Sequence, residues 1–287
     1  MTGKKLLSLV EKQHELRKSV ISPLCAIHAH AINTDSPPMA VMPHLFIRSA
    51  ISCGKIIEKV SESIVENGLV ELRGRYDLIR FELRYCNPDC RFTELRRLIA
   101  ESTSAAGHRC SFKGIVAVDI SKWRGHFHED FFNMALAFLH DCSDDWYIIF
   151  SLEKGTDTDY REAQKVISGY FRTICLDVPV LSKEDAAECF GACFADLGFS
   201  SGTAVNEYIM DTVAEHGKTI RRLDYELIEM ISSDLVCYSI MNGNGNKITI
   251  KTVRDYFADE TAFVYRHIQE EKMAVGFLGG KINDQRV

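Results

Sequence analysis

Long apolar stretches are missing from this chain of 287 residues. The longest candidates are broken by His, Asp or Lys within about 10 residues, well short of the roughly 20 needed to cross a bilayer. A surplus of positive charge is missing too. The formal net charge is −6, which argues against a large basic surface for duplex DNA, though not against a local patch. Nucleic acid and membrane are therefore not expected as partners. The N-terminus, Met1 to Arg17, is charged and helical in pattern and has no signal-peptide core. Ten cysteines show no framework spacing, so reduced thiols in a cytoplasmic protein are expected. No internal repeat is present, and no Ser–His–Asp set can be singled out.

What is present is the composition of a soluble globular protein, 46% hydrophobic and 26% charged, long enough for one large domain or two ordinary ones. Residues 1–32 read as helix with a break at Pro23. The run Thr34-Asp35-Ser36-Pro37-Pro38 reads as a loop. Leu45 to Arg48 is a short buried strand. Lys55 to Glu66 is an amphipathic helix closed by Asn67-Gly68. Asp77 to Tyr85 is a second strand, followed by a turn at Asn87-Pro88-Asp89 and a helix from Thr93 to about Ser102.

Phe112 to Asp119 is an unbroken apolar run ending in an acid, the pattern of a strand buried on both faces in a parallel sheet. A helix over Asp130–His140, a buried strand over Trp146–Ser151, a helix over Asp159–Ser168 and a strand over Thr173–Val178 follow. From Ser182 on, the pattern is helical, at about 182–197, 203–215, 219–240 and 249–257, with a loop at Asn242–Asn246. Strands thus alternate with helices to about residue 180, and helices alone follow. The sequence after Phe277 is Gly-rich and polar, and it is expected to fray.

One stretch organises this pattern. His44 to Ile57 reads as an apolar run, a loop of small residues ending in Gly54-Lys55, and an amphipathic segment. That is the order of a phosphate-binding loop, G-x-x-x-x-G-K-[ST], in altered form. Ser49 stands for the first Gly, and Ile56 stands for the Ser or Thr.

The layout resembles the AAA+ ATPase module, a P-loop NTPase α/β core with a parallel sheet followed by an all-helical C-terminal lid. The likeness covers about residues 15–260. Ser49–Ile56 matches the Walker A position, Ile115–Asp119 matches Walker B, and Ser151, ending its strand, matches sensor 1. Arg172 stands where these proteins often carry an interface arginine. Lys218-Thr219-Ile220-Arg221-Arg222 resembles the sensor-2 segment. Ile248-Thr249-Ile250-Lys251-Thr252-Val253 resembles the start of the last lid helix. The implied domains are a helical segment and linker over 1–40, the α/β core over 41–180, the lid over 181–260, and a C-terminal helix and tail over 261–287.

The resemblance implies ATP or ADP contacts at Ser49, Ser52, Cys53, Gly54, Lys55, Ile56, Asp119, Arg221 and Arg222, with Asp119 the candidate Mg²⁺ ligand. It also implies assembly with protein partners, either further AAA+ subunits or copies of this chain. The departures from the family pattern bear on activity. Ser49 and Ser52 stand where glycines usually let backbone N–H groups wrap phosphate, and Ile51 stands where Pro is common. Ile56 has no atom to hold Mg²⁺. Ile120 replaces the Glu that activates the attacking water, and Ser151 is short for a sensor 1. Such losses together remove several kcal/mol of barrier lowering, on the order of 10³-fold or more in rate. Very weak or absent hydrolysis is expected, with nucleotide binding still open through Lys55 and the helix N-terminus. An active but atypical ATPase would need a substitute carboxylate such as Glu153 or Glu129. A third reading is an interaction module that kept the fold and lost the ligand.

Plainer roles stand beside these. Lys55 also reads as a solvated helix-start lysine, Asp119 as a strand-end cap, and Arg172, Arg221 and Arg222 as surface charges. Cys86, Cys90, His108 and Cys110 have irregular zinc-site spacing, so thiols without metal are favoured. Cys189 and Cys193 read as packing residues, and His28, His30, His126 and His128 as structural or solvent-facing. Phe131, Phe132 and Phe138 read as core.

Overall fold

A computed structural model describes residues 17–34, 42–70, 78–82, 97, 112, 114–143, 145–216 and 223–259. The described residues fall into two compact units, one ending at Pro179 and the other beginning at Val180.

The first described unit opens with a π turn, Arg17–Ile21, that leads into α1, Ser22–Asn33. Pro23 stands in the first turn of α1, where a missing N–H costs nothing. Five parallel strands follow: β1 His44–Ser49, β2 Leu78–Glu82, β3 Gly114–Asp119, β4 Trp146–Glu153 and β5 Thr173–Val178. Their order in the sheet is β2-β3-β4-β1-β5. Among the described residues, the helices between them are α2 Gly54–Glu66, α3 Asp130–Cys142 and α4 Asp157–Ile167. Gly68 ends the α2 region at φ 73°, a left-handed conformation that a Cβ would oppose.

The alternation of side chains sorts the two faces of the sheet. Phe46, Val116, Val118, Ile148, Phe150 and Leu152 pack with Phe132, Leu136 and Leu139 of α3 and Ala163 and Ile167 of α4 in one core. Phe131 and Phe138 lie against that core, in line with their reading as packing residues. The residues between these, Ile47, Ser49, Asp119, Ser151 and Glu153, therefore point to the opposite face. Helix α2 belongs to that face, since the N–H group of Cys53 at its start meets the Glu153 carboxylate. Adjacent strands β1 and β4 thus send their helices to opposite sides. Their carboxyl ends form a switch point of the kind at which ligands bind in open parallel sheets.

The strand expected to end at Ser151 continues to Glu153. Lys154 turns the chain at φ 53°, so the polar Ser151 lies inside the sheet and is fully buried. Parallel pairing with both Asp119 and Ile47 holds it there.

The second unit contains α5 Lys183–Asp196, α6 Thr203–His216, α7 Tyr225–Met241 and α8 Ile250–Ala258. Helix α5 packs on α6 and α7, and α8 packs on α6 and α7. Ser182, Asp224 and Thr249 cap three of these helices through their side-chain oxygens, each satisfying an otherwise orphaned N–H. Cys189 and Cys193 are buried in α5. One parallel bridge, Ser200 with Lys247, joins two loops. Among the described residues, no helix is long and apolar enough to cross a membrane.

Candidate nucleotide-site loop

The loop at the end of β1 is short. Ser49 is the last strand residue and α2 begins at Gly54. The Ser49 hydroxyl turns back into the loop. It donates to the Ile51 carbonyl at 2.7 Å and accepts from the Ile51 N–H at 3.2 Å, a local ring that competes with other uses of the backbone. The Ser49 carbonyl accepts from Lys154 N–H at 2.6 Å and from the Tyr160 hydroxyl at 2.8 Å. Ala50 N–H donates to the Val178 carbonyl at 2.9 Å. Both ends of the loop's first residues are thereby tied to neighbouring strands.

At the other end, the Cys53 N–H donates to Glu153 Oε1 at 2.7 Å. Cys53 and Ile56 are fully buried. Ser52, Gly54 and Lys55 are partly exposed, and Lys55 Nζ lies 3.5 Å from Glu58 Oε2 one turn along α2. Glu58 Oε1 is in turn 3.8 Å from Arg80 of β2.

The acid ending β3 is held by its own turn. Asp119 Oδ1 accepts from the Ser121 N–H at 2.9 Å and from the Ser121 hydroxyl. The same hydroxyl oxygen accepts from the Glu153 N–H at 2.8 Å. A hydrogen-bonded chain therefore runs from Asp119 through Ser121 and Glu153 to Cys53. The Ser151 hydroxyl on the same face is buried without a hydrogen-bond partner. Ile120 is fully buried beside Trp123 and Phe127 in the sheet core.

On the opposite face of the same edge lies an open cleft of about 740 Å³, lined by Arg48, Ala50, Tyr160, Arg161 and Asp177. Arg48 and Asp177 are direct neighbours across β1 and β5 and pair through two bonds of 2.5 and 2.6 Å. That hydrogen bonding raises the Arg48 pKa further above its ordinary value.

The structure thus gathers Ser49, Ser52, Cys53, Gly54, Lys55, Ile56, Asp119 and Ser151 at one edge of the sheet. Arg172 stands at the other edge. It is exposed, just before β5, and its carbonyl accepts from the His44 N–H at the start of β1. Arg221, Arg222 and the rest of the 218–222 segment lie outside the described residues, as do Cys86, Cys90, His108 and Cys110. Among the described residues, no group of three His, Cys, Asp or Glu is placed to hold a metal ion. His126, read from the sequence as structural or solvent-facing, has Glu129 Oε1 at 2.7 Å from its Nδ1. The pair sits three residues apart in a turn that periodicity does not register.

Ile56 and Ile120 supply neither a metal ligand nor a base, and Glu153 already engages an N–H group of the loop.

The fold is that of a P-loop NTPase α/β parallel-sheet core, with a helical C-terminal unit. Among solved structures it is similar to RuvB of Thermotoga maritima. A K-to-R mutant of that protein aligns at TM-score 0.52 with 7% identity, covering 88% of this chain and 72% of RuvB. The structure titled as the RuvB Holliday junction branch migration motor aligns at TM-score 0.50 with 8% identity, covering 85% and 70%. No protein-family profile and no curated protein sequence matches this chain.

Proposed function

We propose that this chain is an AAA+-fold subunit with a degenerate nucleotide site, which hydrolyses ATP very weakly or not at all and works by assembling with protein partners. The observation that carries the reading is the pair Ile56 and Ile120, both fully buried. They stand where the motif needs a metal-holding hydroxyl and a water-activating carboxylate. Both are committed to packing, so neither position has room for water or a cation. Phosphoryl transfer rests on charge neutralisation and positioning, and the loop lacks the parts for both. ATP or ADP remains a candidate ligand through Lys55 and the loop amides, with Asp119 too firmly tied to Ser121 to serve Mg²⁺ well.

The exposed Arg172 supports the assembly half of the proposal. At the edge opposite its own loop, it is of no use to this chain's nucleotide but is available to a neighbour's. The partners proposed are further AAA+ subunits or copies of this chain. The acidic balance argues against non-specific DNA binding.

ATP affinity measured with and without Mg²⁺, together with a turnover assay, tests the reading. Weak binding indifferent to Mg²⁺, without turnover, is expected, and Lys55→Ala should abolish it. Mg²⁺-dependent binding with turnover overturns the proposal in favour of an atypical ATPase using Glu153 or Glu129. No binding at millimolar ATP leaves a pure interaction module.

A further inference from the structure

We infer that Glu153 sets how tightly the 49–56 loop holds an anion: its carboxylate sits on the loop amide that a phosphate group would need, and so keeps polyphosphate binding weak. The inference rests on reading that loop as a nucleotide loop.

The placement follows from the sheet. Ser49 and Glu153 are register partners across β1 and β4, so Glu153 leaves the sheet at the level where the loop begins. Its backbone is fixed on both sides. The Glu153 N–H donates to the Ser121 hydroxyl oxygen at 2.8 Å. The next residue, Lys154, donates its N–H to the Ser49 carbonyl at 2.6 Å and accepts from Arg124 Nη1 at 2.8 Å. Lys154 also holds φ at 53°, an uncommon conformation for a residue with a Cβ, which persists only where the surroundings impose it. From this anchored backbone the side chain reaches Cys53 N–H at 2.7 Å.

An ordinary helix cap would look different. A capping carboxylate accepts from the second or third helical N–H. Here the carboxylate takes the N–H of Cys53, the residue before the helix, which carries no side-chain cap of its own. The amide it occupies belongs to the loop. Loop amides of this kind, together with the positive end of the helix, are what a phosphate oxygen uses. A carboxylate there competes for the donor and adds like charge against any polyphosphate that approaches. Like charges brought together at an interface weaken binding by on the order of tenfold to a thousandfold.

The test uses the full chain and inorganic pyrophosphate, titrated calorimetrically at fixed ionic strength. Wild type, Glu153→Gln and Glu153→Ala are compared, with Lys55→Ala added to the last. Pyrophosphate should bind Glu153→Ala at least about tenfold more tightly than wild type. Glu153→Gln should gain less, since its amide oxygen still accepts from Cys53. Lys55→Ala should erase the gain. Circular dichroism checks folding, and the near-isosteric Glu153→Gln decides alone if Glu153→Ala does not fold. Folded variants that bind pyrophosphate no better than wild type overturn the inference, as does a gain that survives Lys55→Ala. Turnover of ATP by the wild-type chain would instead overturn the proposed function and leaves the variant-to-wild-type ratio to be read on its own.

Discussion

The Tyr160 hydroxyl donates a hydrogen bond to the Ser49 carbonyl at 2.8 Å, joining α4 to the residue where β1 gives way to the loop. The ring is seated against Gly155, where an added Cβ would lie 3.0 Å from Tyr160 Cε1. Burial raises the Tyr160 pKa above its usual value, so the phenol stays a donor through neutral pH. Tyr160→Phe should cost about 0.5–1.5 kcal/mol in urea unfolding. The low end is favoured because Lys154 N–H still satisfies the Ser49 carbonyl. A cost above about 3 kcal/mol would mean that this bond holds the loop itself in place.

His44 gives the first unit a pH dependence. It is buried among Phe112, Tyr147 and Phe171, and its Nδ1 accepts from the Ile148 N–H at 3.0 Å. Burial, helped by the charge of His140, lowers its pKa to about 4 from 6.5. The folded state therefore keeps His44 neutral where the unfolded chain takes up a proton. Between pH 6.5 and 4 the unfolded state binds more protons, so stability falls as pH falls through that window. The loss amounts to about 2 kcal/mol by pH 5 and about 3 kcal/mol by pH 4. Urea unfolding at pH 7 and pH 5 should show this slope, and His44→Gln should flatten it. An unchanged slope in that variant would place the titration elsewhere.

How much of this was legible in the sequence depends on what each residue's role rests on. The strands over Leu45–Arg48, Ile115–Asp119 and Trp146–Phe150 announce themselves, because a strand covered on both faces must be apolar along its length. The amphipathic helix after Gly54 is equally plain. The end of β4 is not. Ser151 looks like a polar stop, but parallel pairing with β1 carries the strand two residues further, and pairing is a property of neighbours that periodicity cannot register. Glu153 could be named as a carboxylate in reach of the site, but not as a partner of Cys53. That contact spans 100 residues and depends on the register between β1 and β4.

The buried position of Ile120 carries a prediction about repair of the site. It packs with Trp123 and Phe127 and is fully buried. Ile120→Glu would place a carboxylate among those rings without a partner, which costs at least about 3 kcal/mol. The cost should shrink at pH 4, where the group can be neutral. Ile56→Thr should cost about 1–3 kcal/mol by leaving a buried hydroxyl unsatisfied, and should yield no ATP turnover. Urea unfolding and a phosphate-release assay on each variant check both statements. Turnover from Ile56→Thr alone would mean that the missing carboxylate is already supplied from elsewhere in the chain.

The helical unit offers a separate test, at the contact between α5 and α6. A Cβ on Gly191 would lie 2.9 Å from Asn206 Nδ2, and the buried Asn206 has an amide oxygen without a hydrogen-bond partner. Gly in a helix interior is less stable than Ala by about 1 kcal/mol, so Gly191→Ala would stabilise an isolated helix. Here the new methyl forces the short, enclosed Asn206 side chain to move, and the gain should vanish or reverse. With Asn206→Ala the obstacle is gone, and adding Gly191→Ala should then stabilise by about 1 kcal/mol. A double-mutant cycle in urea should therefore show a coupling of about 1–2 kcal/mol between the two positions. A coupling near zero would mean that α5 and α6 can separate slightly at no cost. Gly191 would then be a tolerated residue rather than one required by the close approach of the two helices.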